Sequence, residues 1–314
     1  MRKEQHIKGL VAAPFTPMKA DGSLNTALIP SYYELLKENN VNGAFINGST
    51  GEGVSLTFDE KKQVTEAWAA CTRNDASFKL ISLLGGNCVS DCIELAKHAC
   101  EQGLDAVAIT SPSYFKPRSV EVLAEICIEI ANAVPDMPFY YYHIPVLTGV
   151  SFPMYALLQL MDGKTRNFAG VKYTHEDLMD FHSCLGYQNG KYDMLWGRDE
   201  TMLSALPLGT QGAIGSTFNY AAPIYHQLMD AFNAGDMVTA RDLQLKAIRM
   251  IELLGKYGGI ATGKSYMQLI GLDCGGFRLP VKNMSSNEFT SFKKDTDAIQ
   301  FDTFRSRMPA LSHK

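Results

Sequence analysis

Short apolar segments alternate with amphipathic stretches along most of the chain. The amphipathic stretches repeat their apolar residues at i, i+3 and i+4, as in residues 57–73, 90–102, 120–133 and 152–161, and this spacing predicts helices. Ser90 and Thr57 stand at the predicted N-caps of two of them, and Thr57 with Glu60 has capping-box spacing. Eight apolar segments are typical of buried strands: 10–14, 43–47, 79–84, 106–110, 139–142, 168–172, 194–196 and 213–216.

Eight strand–helix units predict an α/β fold, a (β/α)8 TIM barrel, rather than an open doubly wound sheet. A doubly wound sheet usually has a glycine-rich phosphate loop after its first strand, whereas here Ala13-Pro-Phe-Thr-Pro17 follows. The strand pattern stops after about residue 222, and helical patterns follow at 236–255, from near residue 261, and at the end of the chain. We therefore expect a barrel core at 1–222, with the last barrel helix and a C-terminal helical extension at 223–314.

Composition narrows the possible functions. The 314 residues are 46% hydrophobic with a net charge of −4, and no clustered basic face predicts nucleic-acid binding. No apolar run is long enough for a membrane span, and the start of the chain lacks the apolar region of a signal peptide. Seven scattered cysteines without a second pair at ligand spacing favour reduced thiols over a disulfide or metal framework. We expect a cytoplasmic protein without a metal site.

Catalytic residues of such barrels lie at the C-terminal ends of the strands, and one glycine-rich loop stands there. Residues 48–53, Gly-Ser-Thr-Gly-Glu-Gly, follow the second strand. The glycines allow a ligand to approach the backbone, and consecutive N–H groups with two hydroxyls suit a carboxylate or a phosphate. A tight turn without a ligand is an equal alternative, and the loop lacks the lysine of a nucleotide-binding P-loop.

Two further strand ends carry an amine and a phenol. Lys172 ends an apolar strand, where burial would disfavour its charged form and leave an amine able to attack a ketone. The alternative is a lysine that reaches out to solvent at the barrel rim. Tyr142 ends the preceding strand, and neighbouring strands lie about 4.8 Å apart. The two side chains should therefore meet, the phenol serving as a proton shuttle for the amine.

Acidic and hydroxyl residues follow the last two strands. Gly197-Arg-Asp-Glu200 comes after the seventh strand and Gly215-Ser-Thr217 after the eighth. Together these side chains could hydrogen-bond a polyhydroxylated substrate. Asp199 and Glu200 could also stabilise a helix N-terminus through the helix dipole, and both roles are compatible.

Taken in order, these motifs resemble the dihydrodipicolinate synthase / N-acetylneuraminate lyase family, and its lyase branch in particular. The resemblance spans essentially the whole chain. It is carried by residues 48–53, by Tyr142-His-Ile-Pro145 with Thr148-Gly149, by Gly170-Val-Lys172 and by Gly212-Ala-Ile-Gly-Ser216. The Tyr140-Tyr-Tyr-His-Ile-Pro145 run is especially similar to animal-type lyases.

The resemblance implies a class I aldolase that cleaves N-acetylneuraminate, a sialic acid, reversibly to pyruvate and N-acetylmannosamine, without a cofactor. Lys172 would form the Schiff base with C2, and Tyr142 would relay the proton of the C4 hydroxyl. Ser49 and Thr50 would hold the carboxylate, with Thr50 also linked to Tyr142. The sugar would be bound by the remaining matched positions: Thr174, Gly197, Asp199, Glu200 and Ser216. The family is typically a homotetramer in which a neighbour's tyrosine completes the relay, and Tyr114 matches it here.

The choice of substrate within the family depends on a few residues. Synthases that use aspartate semialdehyde carry an arginine shortly after the tyrosine, and the stretch from Ile144 to Thr148 has none. An aldolase for 2-keto-3-deoxy sugar acids would share Lys172, Tyr142 and the loop, and stays open as an alternative. A non-catalytic binding protein on the same fold would be expected to lack the lysine or the tyrosine.

Three positions depart from the family pattern. Ser113-Tyr114-Phe115 differs from the usual aromatic pair, His143 replaces an asparagine common in bacterial members, and Arg198 separates Gly197 from Asp199. His143 could tune the proton relay, although a structural role is favoured. Arg198 could change the contacts with the distal end of the sugar.

Overall fold

The computed structural model describes residues 6–310. Two short segments lie outside that range. Residues 1–5 are part of the start of the chain, for which no signal peptide was predicted, and residues 311–314 are part of the predicted C-terminal extension. Eight strands form a closed, all-parallel barrel in chain order, with β8 paired to β1. The strands are β1 (Gly9–Ala12), β2 (Gly43–Ile46), β3 (Lys79–Gly85), β4 (Ala106–Thr110), β5 (Phe139–His143), β6 (Phe168–Tyr173), β7 (Asp193–Trp196) and β8 (Gly212–Gly215). The predicted barrel is confirmed, and no predicted strand end differs from the observed one by more than two residues.

The helices follow the strands and continue beyond them. They are α1 (Ile29–Glu38), α2 (Phe58–Thr72), α3 (Val89–Gln102), α4 (Val120–Ala133), α5 (Pro145–Thr148), α6 (Met154–Met161), α7 (Leu178–Gly186), α8 (Met202–Ala205), α9 (Phe218–Asn233), α10 (Met237–Lys256), α11 (Thr262–Ile270) and α12 (Ser286–Ala298). Among residues 6–310, no helix is long and apolar enough to cross a membrane.

The helix starts show one correct and one wrong prediction. Thr57 forms the predicted capping box, accepting from the Glu60 N–H while the Glu60 carboxylate accepts from the Thr57 N–H. The prediction of Ser90 as an N-cap is wrong. The helix begins at Val89, so the N-cap is Cys88, two residues before Ser90. Cys88 makes no side-chain capping hydrogen bond, and Ser90 lies in the first turn.

Side chains alternate between two apolar cores. Those that point into the barrel form one cluster that includes Phe45, Tyr140, Tyr142 and Leu195. Their strand neighbours point outward into a larger cluster with the helices. At the N-terminal end of the barrel interior, the buried Asp193 accepts hydrogen bonds from the Tyr140 hydroxyl (2.9 Å) and the Ile7 N–H (3.0 Å). The predicted site residues lie at the opposite, C-terminal end of the barrel.

The C-terminal helices pack on the outside of the barrel. The predicted helix at 236–255 corresponds to α10, where the Asp236 side chain accepts from the Thr239 N–H, and the one near 261 corresponds to α11. Tyr266 of α11 stacks on Tyr220 of α9 with ring centroids 4.6 Å apart. The apolar cluster is therefore shared by barrel and extension. The boundary predicted between residues 222 and 223 falls inside α9, next to its kink at Ala221, and the division into two units stays a prediction.

Candidate active site

Lys172 points into the barrel from the C-terminal end of β6 and is 4% exposed. Its Nζ lies 4.0 Å from the ring centroid of Phe45 and 4.0 Å from that of Tyr142. Burial lowers the pKa of the amine to about 7, and the Asp199 carboxylate acts in the opposite direction. A substantial fraction of Lys172 is therefore a neutral amine near pH 7. This is the protonation state needed for nucleophilic attack.

Tyr142 lies beside Lys172, as predicted from the strand ends. The two residues are register partners in the β5–β6 ladder, and the phenol ring is buried. Burial raises the pKa of Tyr142 to about 12, while the nearby Ser49 and Thr174 hydroxyls act in the opposite direction. The phenol is therefore protonated at neutral pH, which suits a group that relays a proton and not one that stores a negative charge.

The glycine loop, residues 48–53, folds tightly over the end of β2. A Cβ on Gly53 would lie 1.8 Å from the Asn47 carbonyl oxygen, so only glycine fits there. Thr16 donates to the Gly51 carbonyl at 2.6 Å and ties the loop to the segment after β1. Ser49 is half-buried next to Tyr142, and Thr50 is buried. The link from Thr50 to Tyr142 stays a prediction, since the neighbouring hydroxyls are those of Ser49 and Thr174.

Asp199 is buried at the same end of the barrel, behind the end of β8. Its Oδ2 accepts hydrogen bonds from Thr217 N–H (2.9 Å) and Thr217 Oγ1 (2.6 Å). A Cβ on Gly215 would lie 2.0 Å from Asp199 Oδ1, so this glycine makes room for the carboxylate. Burial raises the pKa of Asp199 to about 6, although the Thr217 hydrogen bonds oppose the shift. Asp199 begins the 3₁₀ turn Asp199–Thr201 before α8, so it lies at a helical N-terminus as well as at the barrel end that carries Lys172.

Thr174, Gly197, Glu200 and Ser216 are only partly buried around the mouth. A Cβ on Gly197 would lie 1.9 Å from Thr174 Oγ1, so the residues directly after β6 and β7 are in close contact. Thr174 Oγ1 lies near Tyr142 and is buried without a partner in hydrogen-bond geometry among residues 6–310.

Arg198 forms an ion-pair bridge at the rim. Its guanidinium contacts Glu200 (Nη2 to Oε1, 2.7 Å) and Glu176 (Nη1 to Oε1, 2.6 Å). The side chain of Glu200 is thus held by Arg198, a contact that the sequence did not suggest. Glu176 was not predicted, although it lies only two residues beyond Thr174, because no spacing rule connects it to Arg198.

Tyr114 stands apart from the other predicted site residues. Its side chain is 84% exposed and stacks edge-on against Phe115, which is 86% exposed. The Asn87 side chain accepts from the N–H groups of Ser113 (2.9 Å) and Tyr114 (3.3 Å), which holds the loop in place. Within this chain the ring does not lie beside Lys172 or Tyr142.

His143 points away from the barrel interior because strand residues alternate. It is buried among Tyr141, Tyr173 and His175, with ring centroids 5.1–6.2 Å away. Burial, and secondarily His175, lower its pKa to about 3, so it is neutral at physiological pH. This environment supports the structural role.

Sequence reasoning also missed Phe45, whose ring contacts the Lys172 amine. The signal was present, since Phe45 alternates inward one residue before the end of β2. Among residues 6–310, no group of three or more His, Cys, Asp or Glu side chains is arranged to hold a metal ion. The assembled groups are a neutral amine, a protonated phenol, hydroxyls and a buried carboxylate, a set capable of imine chemistry with proton transfer.

The comparisons with known proteins agree with this geometry. The sequence profile of the dihydrodipicolinate synthetase family matches residues 6–299. The chain belongs to this family. Its curated relatives include proteins named N-acetylneuraminate lyase from Danio rerio (39% identity, covering 89% of this chain and 92% of the relative) and Homo sapiens (38%, covering 91% and 90%). The solved Proteus mirabilis N-acetylneuraminate lyase superposes with a TM-score of 0.90 at 36% identity, covering 95% of this chain and all of that one.

Proposed function

We propose that the protein is a carbon–carbon lyase, a class I aldolase that cleaves N-acetylneuraminate reversibly to pyruvate and N-acetylmannosamine. The observation that carries the proposal is the pair formed by Lys172 and Tyr142, a buried amine with a pKa of about 7 in register with a buried phenol. The names of its relatives at 38–39% identity support the choice of substrate.

The chemistry begins with attack of the neutral Lys172 amine on C2 of the open-chain sugar, with loss of water to give a protonated imine. The C4 hydroxyl loses its proton as the C3–C4 bond breaks, and the electron pair moves into the imine to form an enamine. N-acetylmannosamine leaves as the aldehyde. Protonation of the enamine at C3 and hydrolysis release pyruvate and regenerate the amine, so no cofactor is required.

Tyr142 carries the proton of the C4 hydroxyl in this scheme. Its raised pKa of about 12 means that a free phenolate is scarce, so Tyr142 accepts one proton while it passes its own to a neighbouring group. The positive charge of the imine on Lys172 favours this transfer. Ser49 and Thr50 bind the carboxylate, while Thr174, Gly197, Asp199, Glu200 and Ser216 bind the hydroxyl chain.

The first experiment is intact-mass analysis after incubation with pyruvate and borohydride. We expect an added reduced pyruvyl group that maps to Lys172, and no adduct in Lys172→Ala, which should fold but not cleave substrate. A folded wild-type protein that forms no adduct would overturn the mechanism. Comparison of N-acetylmannosamine with other aldehydes in the condensation direction then separates the lyase from an aldolase for 2-keto-3-deoxy sugar acids.

A synthase acting on aspartate semialdehyde fits the site less well. No arginine is present in the segment from Ile144 to Thr148, and Val146 and Leu147 of α5 are exposed. The buried Asp199 carboxylate near Lys172 would repel the second carboxylate of that substrate. A neutral polyol avoids this repulsion.

We also propose a cytoplasmic homotetramer in which Tyr114 completes the relay of a neighbouring subunit. Support comes from the exposure of Tyr114 and Phe115, large apolar rings that otherwise face water. All seven cysteines are free thiols, as expected in a reducing compartment.

Mixed oligomers test the role of Tyr114. Lys172→Ala and Tyr114→Phe are each expected to be inactive or nearly so. When the two are unfolded and refolded together, activity should return, because an intact Lys172 meets an intact Tyr114 from its neighbour. No recovery in a verified mixed tetramer, or a monomeric active enzyme by analytical ultracentrifugation, would refute the proposal.

A further inference from the structure

The glycine loop contains one charged residue, Glu52, and its carboxylate does not face the candidate site. It is buried on the far side of the loop, where Glu52 Oε1 accepts from Lys264 Nζ at 2.8 Å. Both side chains of this ion pair are 3% exposed. Lys264 belongs to α11, so the contact joins the C-terminal extension to the loop of β2.

The second carboxylate oxygen is also occupied by the extension. Glu52 Oε2 accepts from the Arg278 N–H at 2.8 Å, and Lys264 Nζ donates in addition to the Gly276 carbonyl at 2.7 Å. Burial lowers the pKa of Lys264, while the Glu52 carboxylate opposes that shift. The pair is enclosed and hydrogen-bonded at both oxygens, unlike a surface ion pair that solvent screens.

The same segment holds the exit of the loop. The Arg278 guanidinium donates from Nη2 and Nη1 to the Glu60 carboxylate at 2.6 and 2.8 Å, and from Nη1 to the Ser55 carbonyl at 3.0 Å. Residues 52, 55 and 60 are thus fastened to the extension within one short stretch of chain.

The backbone of the loop needs such support. Asn47 and Glu52 both adopt positive φ, at 58° and 56°. Asparagine tolerates this region, whereas a glutamate occupies it at a cost that its surroundings must offset. Ser49 and Thr50 lie between these two positions. Any relaxation at Glu52 would therefore move the hydroxyl and N–H groups of the predicted carboxylate site.

We propose that Glu52 and Lys264 are positioning residues: their buried ion pair makes the C-terminal extension hold Ser49 and Thr50 in the geometry that binds the pyruvate carboxylate. The inference rests on the proposed function, and deepens it. Neither residue touches substrate, and neither alters the Lys172 amine directly.

The test uses Glu52→Gln and Lys264→Met in the full chain, with Tyr140→Phe as a matched control. Tyr140→Phe also removes one buried hydrogen bond to a carboxylate, but at the opposite end of the barrel. The melting temperature of each variant is measured first. At a temperature below it, two further quantities are measured: the pyruvate concentration that gives half-maximal borohydride-trapped adduct, and the pH midpoint of adduct formation.

For Glu52→Gln and Lys264→Met we expect the half-saturating pyruvate concentration to rise by about tenfold or more, because the hydrogen bonds to the pyruvate carboxylate are weakened. The pH midpoint should stay at the wild-type value, because Lys172 keeps its surroundings. Tyr140→Phe should lower the melting temperature without changing half-saturation.

If both ion-pair variants fold and keep the wild-type half-saturating pyruvate concentration, the proposal is overturned and the ion pair has a purely structural role. If either variant does not fold, Glu52→Asp is measured in the same assay, because it keeps the charge but shortens the side chain. A raised half-saturating pyruvate concentration supports the proposed positioning role, and an unchanged one refutes it. A wild-type protein that forms no adduct would refute the proposed function instead, so the two failures are distinguishable.

Discussion

Replacing Asp199 with asparagine tests whether the surroundings of Lys172 set its reactivity. Burial lowers the pKa of this lysine from an ordinary 10.5 to about 7, and Asp199 partly offsets the shift. At pH 7 an amine with a pKa of 10.5 is about 0.03% neutral and one with a pKa of 7 is about half neutral, a gain of roughly 1,600-fold in nucleophile. The lowering corresponds to about 5 kcal/mol.

Asp199→Asn removes the negative charge that favours the protonated amine, with little change in shape. The pKa of Lys172 should therefore fall further, by about one unit, the effect of one neighbouring charge. At pH 6 the neutral fraction and the initial rate of adduct formation should rise about three- to fivefold, because Asp199 is itself partly protonated there. At pH 9 both proteins have a neutral amine and should react alike.

The assay is the initial rate of pyruvate adduct formation, trapped with cyanoborohydride at subsaturating pyruvate from pH 5 to 10. Asp193→Asn changes a buried carboxylate at the opposite end of the barrel and should leave the midpoint unchanged. A wild-type midpoint near 10, or a midpoint that moves to higher pH in Asp199→Asn, would refute the reasoning.

Three other substitutions test the site. Tyr142→Phe should reduce cleavage by roughly two to four orders of magnitude because the proton relay is lost, and a near-normal rate in a steady-state assay would place the relay elsewhere. Gly215→Ala should raise KM for the sugar with little change in pyruvate trapping at pH 9, since its Cβ would lie 2.0 Å from Asp199 Oδ1 and displace that carboxylate; equal loss in both assays at pH 9 would contradict this. Lys172→Met should raise the melting temperature more at pH 6 than at pH 9. The pKa of Lys172 is lower in the folded than in the unfolded chain, so the free-energy penalty for burying the amine is fully present below pH 7 and disappears toward pH 10.5. A variant that melts below the wild type at pH 6 would contradict this prediction.

The sequence alone determined the barrel. Its eight apolar strand segments and the amphipathic helices between them differ in the spacing of their apolar residues, and this spacing follows from the backbone geometry of strands and helices. It also placed Lys172 beside Tyr142, since both end neighbouring strands and a parallel ladder sets them at one height. The prediction of Ser90 as an N-cap was wrong by two residues, because the exact start of a helix depends on backbone geometry that several neighbouring residues satisfy equally well.

Only the tertiary structure decided which distant groups meet at the site. Arg198, after β7, forms an ion pair with Glu176, after β6. Glu52 forms an ion pair with Lys264, which is 212 residues away in sequence. Such pairs depend on how loops and the extension pack around the barrel, and no periodicity or spacing encodes that packing. The state of the Lys172 amine was decided there too, because a pKa of about 7 results from burial by Phe45, Tyr142 and the rest of the barrel interior, which exists only in the folded chain.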